Sequence, residues 1–437
     1  MKKSVLGEFI KYVSMNIAGM IGLSCYILAD TFFISQGIGS DGLTALNIAL
    51  PAFNIMNGAG LMIGMGGAAR FSILKASGDE KKANSVFSSC VYFAAVISVI
   101  LIICGLFLSW DISRLLGAKG EILPMTQVYL RVMLLFSPLF MFNNLIICFV
   151  RNDGAPNLAM AGMIVGSLGN IIMDYVFIFP LKMGMFGAIA ATAMAPGISL
   201  LLMAVRGLKG KNSFSFIKTS ISFKAWFDVS SLGISSFITE VSSGIVILIF
   251  NFIILDIMGN IGVAAYGIVA NIALVVTAIF TGISQGMQPL VSRSKGEGNI
   301  AASEKIYRYG IITGVFAALL IYCIVFLFTD NITGAFNPEG IKELQVSAGE
   351  GLRLYFPGFI FAAVNIITSV FFGAWDKPAQ SFIISALRGF AVIIPSAFIM
   401  ASLFGMVGVW LAFPLCELLV SVISVLIKVK QKRLTVQ

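Results

Sequence analysis

GSDGLTALNIALP (Gly39–Pro51) lies 220 positions before GNIGVAAYGIVAN (Gly259–Asn271), and the register between the two stretches runs on without a gap. SILKASGDEKKA from Ser72 falls on SRSKGEGNIAAS from Ser292, matching Ser72 with Ser292, Lys75 with Lys295 and Gly78 with Gly298. RNDGAPN from Arg151 then meets GAWDKPA from Gly373, with Pro156 over Pro378 at an offset of 222, and GMFGA at Gly184 meets GMVGV at Gly405. Each match is short. An offset held nearly constant through several loops makes the chain two copies of one unit.

That unit is a membrane unit. Of the 437 residues 58% are hydrophobic and 11% charged, and the mean hydropathy is +0.98, whereas soluble domains carry about 25% charged residues. Apolar runs long enough to cross a hydrocarbon core of about 30 Å give twelve candidate helices, at about 9–36, 43–71, 88–110, 126–150, 157–180, 184–205, 229–257, 262–291, 308–329, 348–374, 380–404 and 405–428. They are numbered 1 to 12 below. The first run follows Lys2 and Lys3 but is too long for a cleaved signal peptide and shows no small-residue cleavage site, so it reads as a retained span.

The fold expected is an all-α polytopic membrane protein, with twelve transmembrane helices in two pseudo-symmetric six-helix lobes around a central cleft. An even number of spans per repeat gives both halves the same orientation, related by an axis along the membrane normal. The lobes are expected at 1–206 and 225–437, joined by the polar, basic linker 207–224. Such a body suits an alternating-access transporter. Nothing resembles a selectivity filter, and no Walker-type GK[ST] motif offers an ATP-driven pump.

Charge sets the expected orientation. One set of loops and termini holds 22 of the 29 Lys and Arg, including Lys2, Lys3, Arg151, Lys432 and Arg433; the opposite loops hold Arg114, Lys119, Lys182 and Lys342. By the positive-inside rule both termini are cytoplasmic, in a multi-pass protein of the cell membrane. The net charge of +9 is largely this bias, so no nucleic-acid partner is expected. The zero histidine count removes imidazole metal ligands, His triads and His proton shuttles. The six cysteines, Cys25, Cys90, Cys104, Cys148, Cys323 and Cys416, lie in apolar runs without a CxxC pair and read as small buried hydrophobes.

An ionisable side chain at mid-bilayer depth costs at least about 2.5–3.5 kcal/mol on insertion scales, so each one asks for a reason. Asp30 in helix 1, Asp174 in helix 5, Glu240 in helix 7 and Glu417 in helix 12 are the carboxylates at that depth. Tyr26 precedes Asp30, and Asn170 precedes Asp174, by one helical turn on the same face; Thr192 follows in helix 6. Converging, these faces would form an all-oxygen pocket suited to a hard cation such as Na⁺ or to proton exchange, and unsuited to soft metals. Two neighbouring carboxylates would titrate as a coupled pair; interhelical hydrogen bonding alone is the competing account. Glu240, in SSFITEVSSG, could bind a cationic substrate or a second ion, or bond to local hydroxyls. Glu417 could be internal glue. Asp256 reads as a solvated cap, and Arg131 and Arg353 as residues snorkelling to the interface.

The stretches YILADTFFISQGIGSDGLTALNIALP, NDGAPNLAM, GNIIMDYVFIFPLKMGMFGAIAAT, AAYGIVANI and GISQGMQPLVSRSKGEGN resemble the multidrug and toxic compound extrusion (MATE) family, over essentially the whole chain. GISQGMQPLVS and the acidic helix 7 resemble the MepA-like branch, near the DinF-like members. The resemblance implies Na⁺- or H⁺-driven export of cationic amphipathic drugs or dyes, with no other cofactor and a monomer as the working unit. It implies a first-lobe cation site of Asp30, Tyr26, Asn170, Asp174, Thr192 and either Asn143 or Asn144, with Asp30, Asn170, Asp174 and Thr192 holding Na⁺ if sodium is the coupling ion. It places Glu240, with Asp174, at the substrate. The family proline of early helix 1 is missing from KYVSMNIAG, where Gly19 and Gly22 could soften the helix instead, and the NorM-type acid of helix 10 is missing from AAVNIITSVFFGAW. A lipid-linked precursor flippase of the wider superfamily is the alternative transporter. A membrane-embedded lipid enzyme is the alternative from another class, without His, GxSxG or a metal-ligand cluster to support it.

Overall fold

In hydrocarbon no water can pair a free N–H or C=O, so a chain this apolar has to satisfy its backbone within helices. A computed structural model describes residues 4–337 and 340–436 and shows that outcome. Of the basic residues counted above, Lys2 and Lys3 lie outside the described residues, as do the side chains of Lys432 and Arg433.

Helices 1, 2 and 3 are Val5–Gly37, Ser40–Ala76 and Glu80–Phe107. Helix 4 is a bent pair, Ile122–Leu135 and Ser137–Asn152, meeting at 51°. Helices 5 and 6 are Pro156–Ile178 and Gly184–Leu208. Helices 7 and 8 form the continuous rod Phe223–Gly296, broken at Gly259, and helix 9 is Ile300–Leu327. Helix 10 is again bent, Lys342–Tyr355 and Gly358–Ala374 at 48°. Helix 11 starts at Pro378 and passes through a π-helical turn, Leu387–Ala391, before Gly405 divides it from helix 12. Among the described residues eight helices qualify as spans by length and hydropathy, ten when each bent pair counts once, and twelve when the two long rods are divided at their glycines.

The repeat is visible in local geometry. Gly39 (φ 93°) and Gly259 (φ 64°) make the turns before helices 2 and 8 in a left-handed conformation that other residues adopt only with strain. Asp79 and Asn299, 220 apart, cap helices 3 and 9 by accepting from the backbone N–H of Lys82 and Ala302. Both repeats bend their fourth helix in the same way.

The lobes meet most closely near the basic end, through glycine. A Cβ on Gly66 of helix 2 would stand 2.0 Å from the carbonyl oxygen of Val229, and one on Gly233 of helix 7 would stand 2.0 Å from that of Met62. Gly282 and Gly286 of helix 8 take the backbone of Ile17 and Val13 of helix 1 in the same manner. Close backbone approach at small residues is how helices associate where no hydrophobic drive separates protein from lipid. Polar contacts complete this end. Arg70 pairs with Asp228 (2.5 Å) and Asp376 (3.2 Å), and Arg293 pairs with Glu8.

Three expectations change. Gly19 and Gly22 do not break helix 1, which runs unbroken; they admit Met163 and Ile164 of helix 5. Cys25 and Cys323 are exposed on the bundle surface rather than buried, because a side chain that faces lipid can be as apolar as one inside. Arg151 is not in a loop: it is fully buried. The linker is tied down. Phe214 sits in the first-lobe core with Phe71, Phe87 and Phe149, and the backbone N–H groups of Ser215 and Ile217 donate to Asn84 and Ser88 of helix 3.

Gly66→Val should hold the lobes apart at the basic end. Spin labels at the exposed positions Ser77 and Lys377 should report a longer separation in the variant; an unchanged distance distribution would show that glycine does not set the approach.

Candidate functional site

Asn170 and Asp174 are fully buried on one face of helix 5, and Asp30 faces them from helix 1. The carboxyl groups of Asp30 and Asp174 are within hydrogen-bonding range of each other. The Asn170 amide N–H donates to Asp174 Oδ2 at 2.9 Å, and its oxygen accepts from the backbone N–H of Thr192 at 3.3 Å, which joins helix 6 to the site. The reverse amide orientation would set two acceptor oxygens against each other. Asp30 Oδ1 and Asp174 Oδ1 are buried without a hydrogen-bond partner. Buried acceptors left unanswered are rare in native proteins. Here they face a set of carboxylate, amide and hydroxyl oxygens, a donor set that fits a hard monovalent cation or a shared proton.

Tyr26 and Tyr129 lie within electrostatic reach of both aspartates, and Tyr26 also of Glu240. Tyr129, buried on helix 4, carries no distinctive sequence signal beside Arg131 in YLRVMLLF.

The two helix 4 asparagines part ways. Asn144 Nδ2 donates to Asn57 Oδ1 at 2.8 Å, and Asn57 Nδ2 donates across the lobes to Glu240 Oε2 at 3.0 Å. Asn143 Oδ1 is buried without a partner. Asn144 thus belongs to a chain that ends at Glu240, not to the hydrogen bonds of the aspartate pair. Asn57 was hidden in PAFNIMNGAG, beside Asn54, because amides in an apolar run give no pattern of their own.

Glu417 is closed off. Arg388 Nη2 donates to its Oε1 at 2.7 Å, Asn365 Nδ2 to its Oε2 at 2.7 Å, and Ser424 donates to Asn365 Oδ1 at 2.9 Å. Arg388 stands on the π-helical turn of helix 11, an insertion that re-aims a side chain. Arg151 lies between the lobes with neutral partners. It donates to Asn16 Oδ1 and Gln285 Oε1, both at 2.7 Å, and meets Met65 Sδ at 3.1 Å. The neighbouring Asn152 Nδ2 donates to Gln288 Oε1 at 2.9 Å. Both glutamines belong to GISQGMQPLVS.

The MatE family model matches residues 17–176 and 234–399, most of both repeats. The chain belongs to the MatE family. This MatE chain is 26% identical to the multidrug export protein MepA of Staphylococcus saprophyticus over 424 residues, covering 95% of this chain and 91% of the relative. It is 28% identical to MepA of Staphylococcus aureus strain MSSA476 over 410 residues, with 92% and 88% covered. Among solved structures it superimposes on the outward-facing conformation of a multidrug resistance MATE family transporter of the MOP superfamily, with a TM-score of 0.93, 22% identity and coverage of 100% and 98%. A MATE structure in complex with MaL6 gives the same values. The MatE fold thus places four intramembrane carboxylates in three settings: an open pair, a bridge between lobes and a closed ion pair. Asp256 and Arg131 are exposed, and Arg353 lies 3.8 Å from Asp330 near the end of its helix.

Breaking a buried pair costs more than replacing it. Arg388→Met should lower stability by about 3–5 kcal/mol by leaving Glu417 uncompensated, whereas Arg388→Met with Glu417→Leu should come close to wild type. Thermal unfolding in detergent measures both, and equal losses would mean that packing rather than charge decides.

Proposed function

We propose that this protein exports cationic amphipathic drugs in exchange for Na⁺ or H⁺ by alternating access. The carrying observation is the facing pair Asp30 and Asp174, each with a buried oxygen that no protein group answers. The names of the MepA relatives, multidrug export proteins, support drugs as the cargo, and the acidic groups in the membrane favour cationic ones. The moving units are 1–206 and 225–437. The Lys/Arg-rich end lies in the cytoplasm with both termini, and the state described here is sealed at that end.

Two carboxyl groups at this range must share a cation or a proton, and loading or emptying them changes the charge buried between helices 1, 5 and 6. Helix 1 also carries the inter-lobe contacts of Val13 and Ile17 with helix 8, so the ion site and the seal share one rigid element. One monovalent charge moving down 100 mV supplies about 2.3 kcal/mol, enough for roughly fifty-fold drug accumulation. At mid-cleft Glu240 offers a carboxylate to an organic cation. One oxygen is held by Asn57, and among the described residues no protein hydrogen bond reaches the other.

Asp30→Asn and Asp174→Asn should each preserve folding, because the amide is nearly isosteric, and each should abolish the response of transport to Na⁺ and pH gradients. Drug binding without a gradient should partly survive, since binding and coupling are separable free energies. Thr192→Ala, which removes the hydroxyl 3.3 Å from the Asn170 amide but keeps the backbone N–H, should shift the ion dependence by about 0.5–1.5 kcal/mol without abolishing transport. If both well-folded aspartate variants export drug with normal gradient dependence in proteoliposomes, the coupling site lies elsewhere.

Glu240→Gln should weaken export of cationic dyes more than that of neutral ones, because a partly desolvated carboxylate attracts charge more strongly than one in water. An equal loss for both classes of dye would reduce Glu240 to a structural bridge.

A further inference from the structure

The segment joining the lobes has features that its packing does not use. From Gly207 to Phe227 there is no Asp or Glu, and the lysines are Lys209, Lys211, Lys218 and Lys224. All four are exposed. Among the described residues none of the four makes an ion pair or a side-chain hydrogen bond, whereas Lys75, Lys82, Arg206 and Arg293 at the same end each have a carboxylate. Interleaved with the lysines are large apolar side chains turned outward: Leu208 at 88% exposure, Phe216 at 54%, Ile221 at 56%, Phe223 at 79% and Phe227 at 76%. Phe223 and Phe227 are one turn apart at the start of helix 7 and share a face.

The position of the strap fits this composition. Its residues lie along the first three turns of helix 3, with Ser215 on Asn84, Ile217 on Ser88 and Thr219 back on Ser85, and the Phe216 ring reaches on to 5.5 Å from that of Tyr92. Ser88 is eight residues past Glu80, about 12 Å along the helix axis. The strap therefore lies against the flank of the bundle instead of hanging below it. Lysines on a solvated loop need no apolar neighbours. At the boundary between headgroups and acyl chains, aromatic rings enter the apolar layer while ammonium groups meet phosphates.

We propose that residues 207–227 form a binding strap for anionic phospholipids of the adjoining leaflet, with the four lysines on lipid phosphates and Phe216 and Phe223 in the interfacial layer. A soluble phosphate would account for the lysines but not for the outward-facing aromatic and aliphatic side chains. The strap is the covalent link between the lobes, so lipid bound there acts on their relative movement and hence on turnover. This goes beyond the export reading and is independent of which ion drives it.

The test uses the full-length protein in phosphatidylcholine nanodiscs with or without a minor fraction of phosphatidylglycerol. Retained phosphatidylglycerol is counted by native mass spectrometry, and dye turnover is measured in liposomes of the same lipids. Combined Lys209→Gln, Lys211→Gln, Lys218→Gln and Lys224→Gln should weaken phosphatidylglycerol retention at least about tenfold and remove its effect on turnover, leaving apparent dye affinity unchanged. The pair Phe216→Ser and Phe223→Ser should also weaken retention. A control with the same charge change on the same end, Lys81→Gln, Lys305→Gln, Arg308→Gln and Lys430→Gln, should keep both retention and lipid-dependent turnover. The milder pair Lys218→Gln and Lys224→Gln, expected to lose at least about threefold, covers the case in which the fourfold variant does not fold. Equal losses in strap and control variants would overturn the proposal in favour of general surface charge. Competition by soluble glycerophosphate, with no effect of the phenylalanine pair, would overturn it in favour of a free-phosphate site.

Discussion

A polar group that this chain carries into the bilayer is costly unless another part of the chain answers it, because hydrocarbon offers nothing else. The backbone answers itself by being helical. Glu417 is answered by Arg388 and Asn365, and Glu240 by an amide from the opposite lobe. Among the described residues Asp30 and Asp174 are answered only by each other and Asn170, which leaves one oxygen on each unpaired. Against that background an incompletely satisfied pair is the natural place for a mobile cation or proton. Its neighbours are the elements whose packing such an occupant can bias.

The contact between the lobes combines two kinds of interaction. Gly66, Gly233, Gly282 and Gly286 allow backbones to touch, which gives dispersion contact without polar commitment. The side chains of Arg70, Arg151, Asn152, Gln285 and Gln288 add directional bonds around that contact. Arg151 is the costly member. A guanidinium has five N–H donors, and here two bonds of 2.7 Å and two sulfur contacts serve Nη1 and Nη2 while Nε has no partner. A fully buried charge with neutral partners is under-satisfied, and separation of the lobes would let water reach it. The contact thus contains both the close packing that holds it and a charge that opposes it.

Much of this was legible in the sequence because the bilayer simplifies the code. A run of about twenty apolar residues has one meaning at this length, and the repeat from Gly39 to Gly259 fixed the architecture before any contact was known. Asp30, Tyr26, Asn170 and Asp174 could be singled out because an acid in an apolar run is conspicuous and a helical turn puts its neighbour on the same face. Asn57 and Tyr129 could not, since an amide or phenol in such a run is common and their importance comes from helices far away in sequence. Arg151 was misplaced for a related reason: its neighbours in RNDGAP look like a turn, but helix 4 continues to Asn152 and takes the guanidinium inside. The linker looked like a tether because polar composition does not reveal that Phe214 would find a pocket of three phenylalanines.

The two lobes share a backbone plan but not a chemistry, and the difference is itself informative. In the first lobe the acids of helices 1 and 5 face each other without a cation of their own. In the second, the acid of helix 12 meets a guanidinium on the same lobe, brought there by a π-helical turn. An arginine attached to the chain cannot leave, so Glu417 holds a permanent counter-charge, whereas no Lys or Arg among the described residues pairs with Asp30 or Asp174. Symmetric folding thus carries an asymmetric distribution of charge, which the proposed coupling role of the first lobe would use. Of the four intramembrane acids Glu240 is the one that reaches across: it comes from the second lobe and is held by an amide of the first. Rearrangement of helix 2 or helix 4 around an emptied aspartate pair would reach Glu240 through Asn57 and Asn144, a path of two hydrogen bonds from one lobe into the cleft.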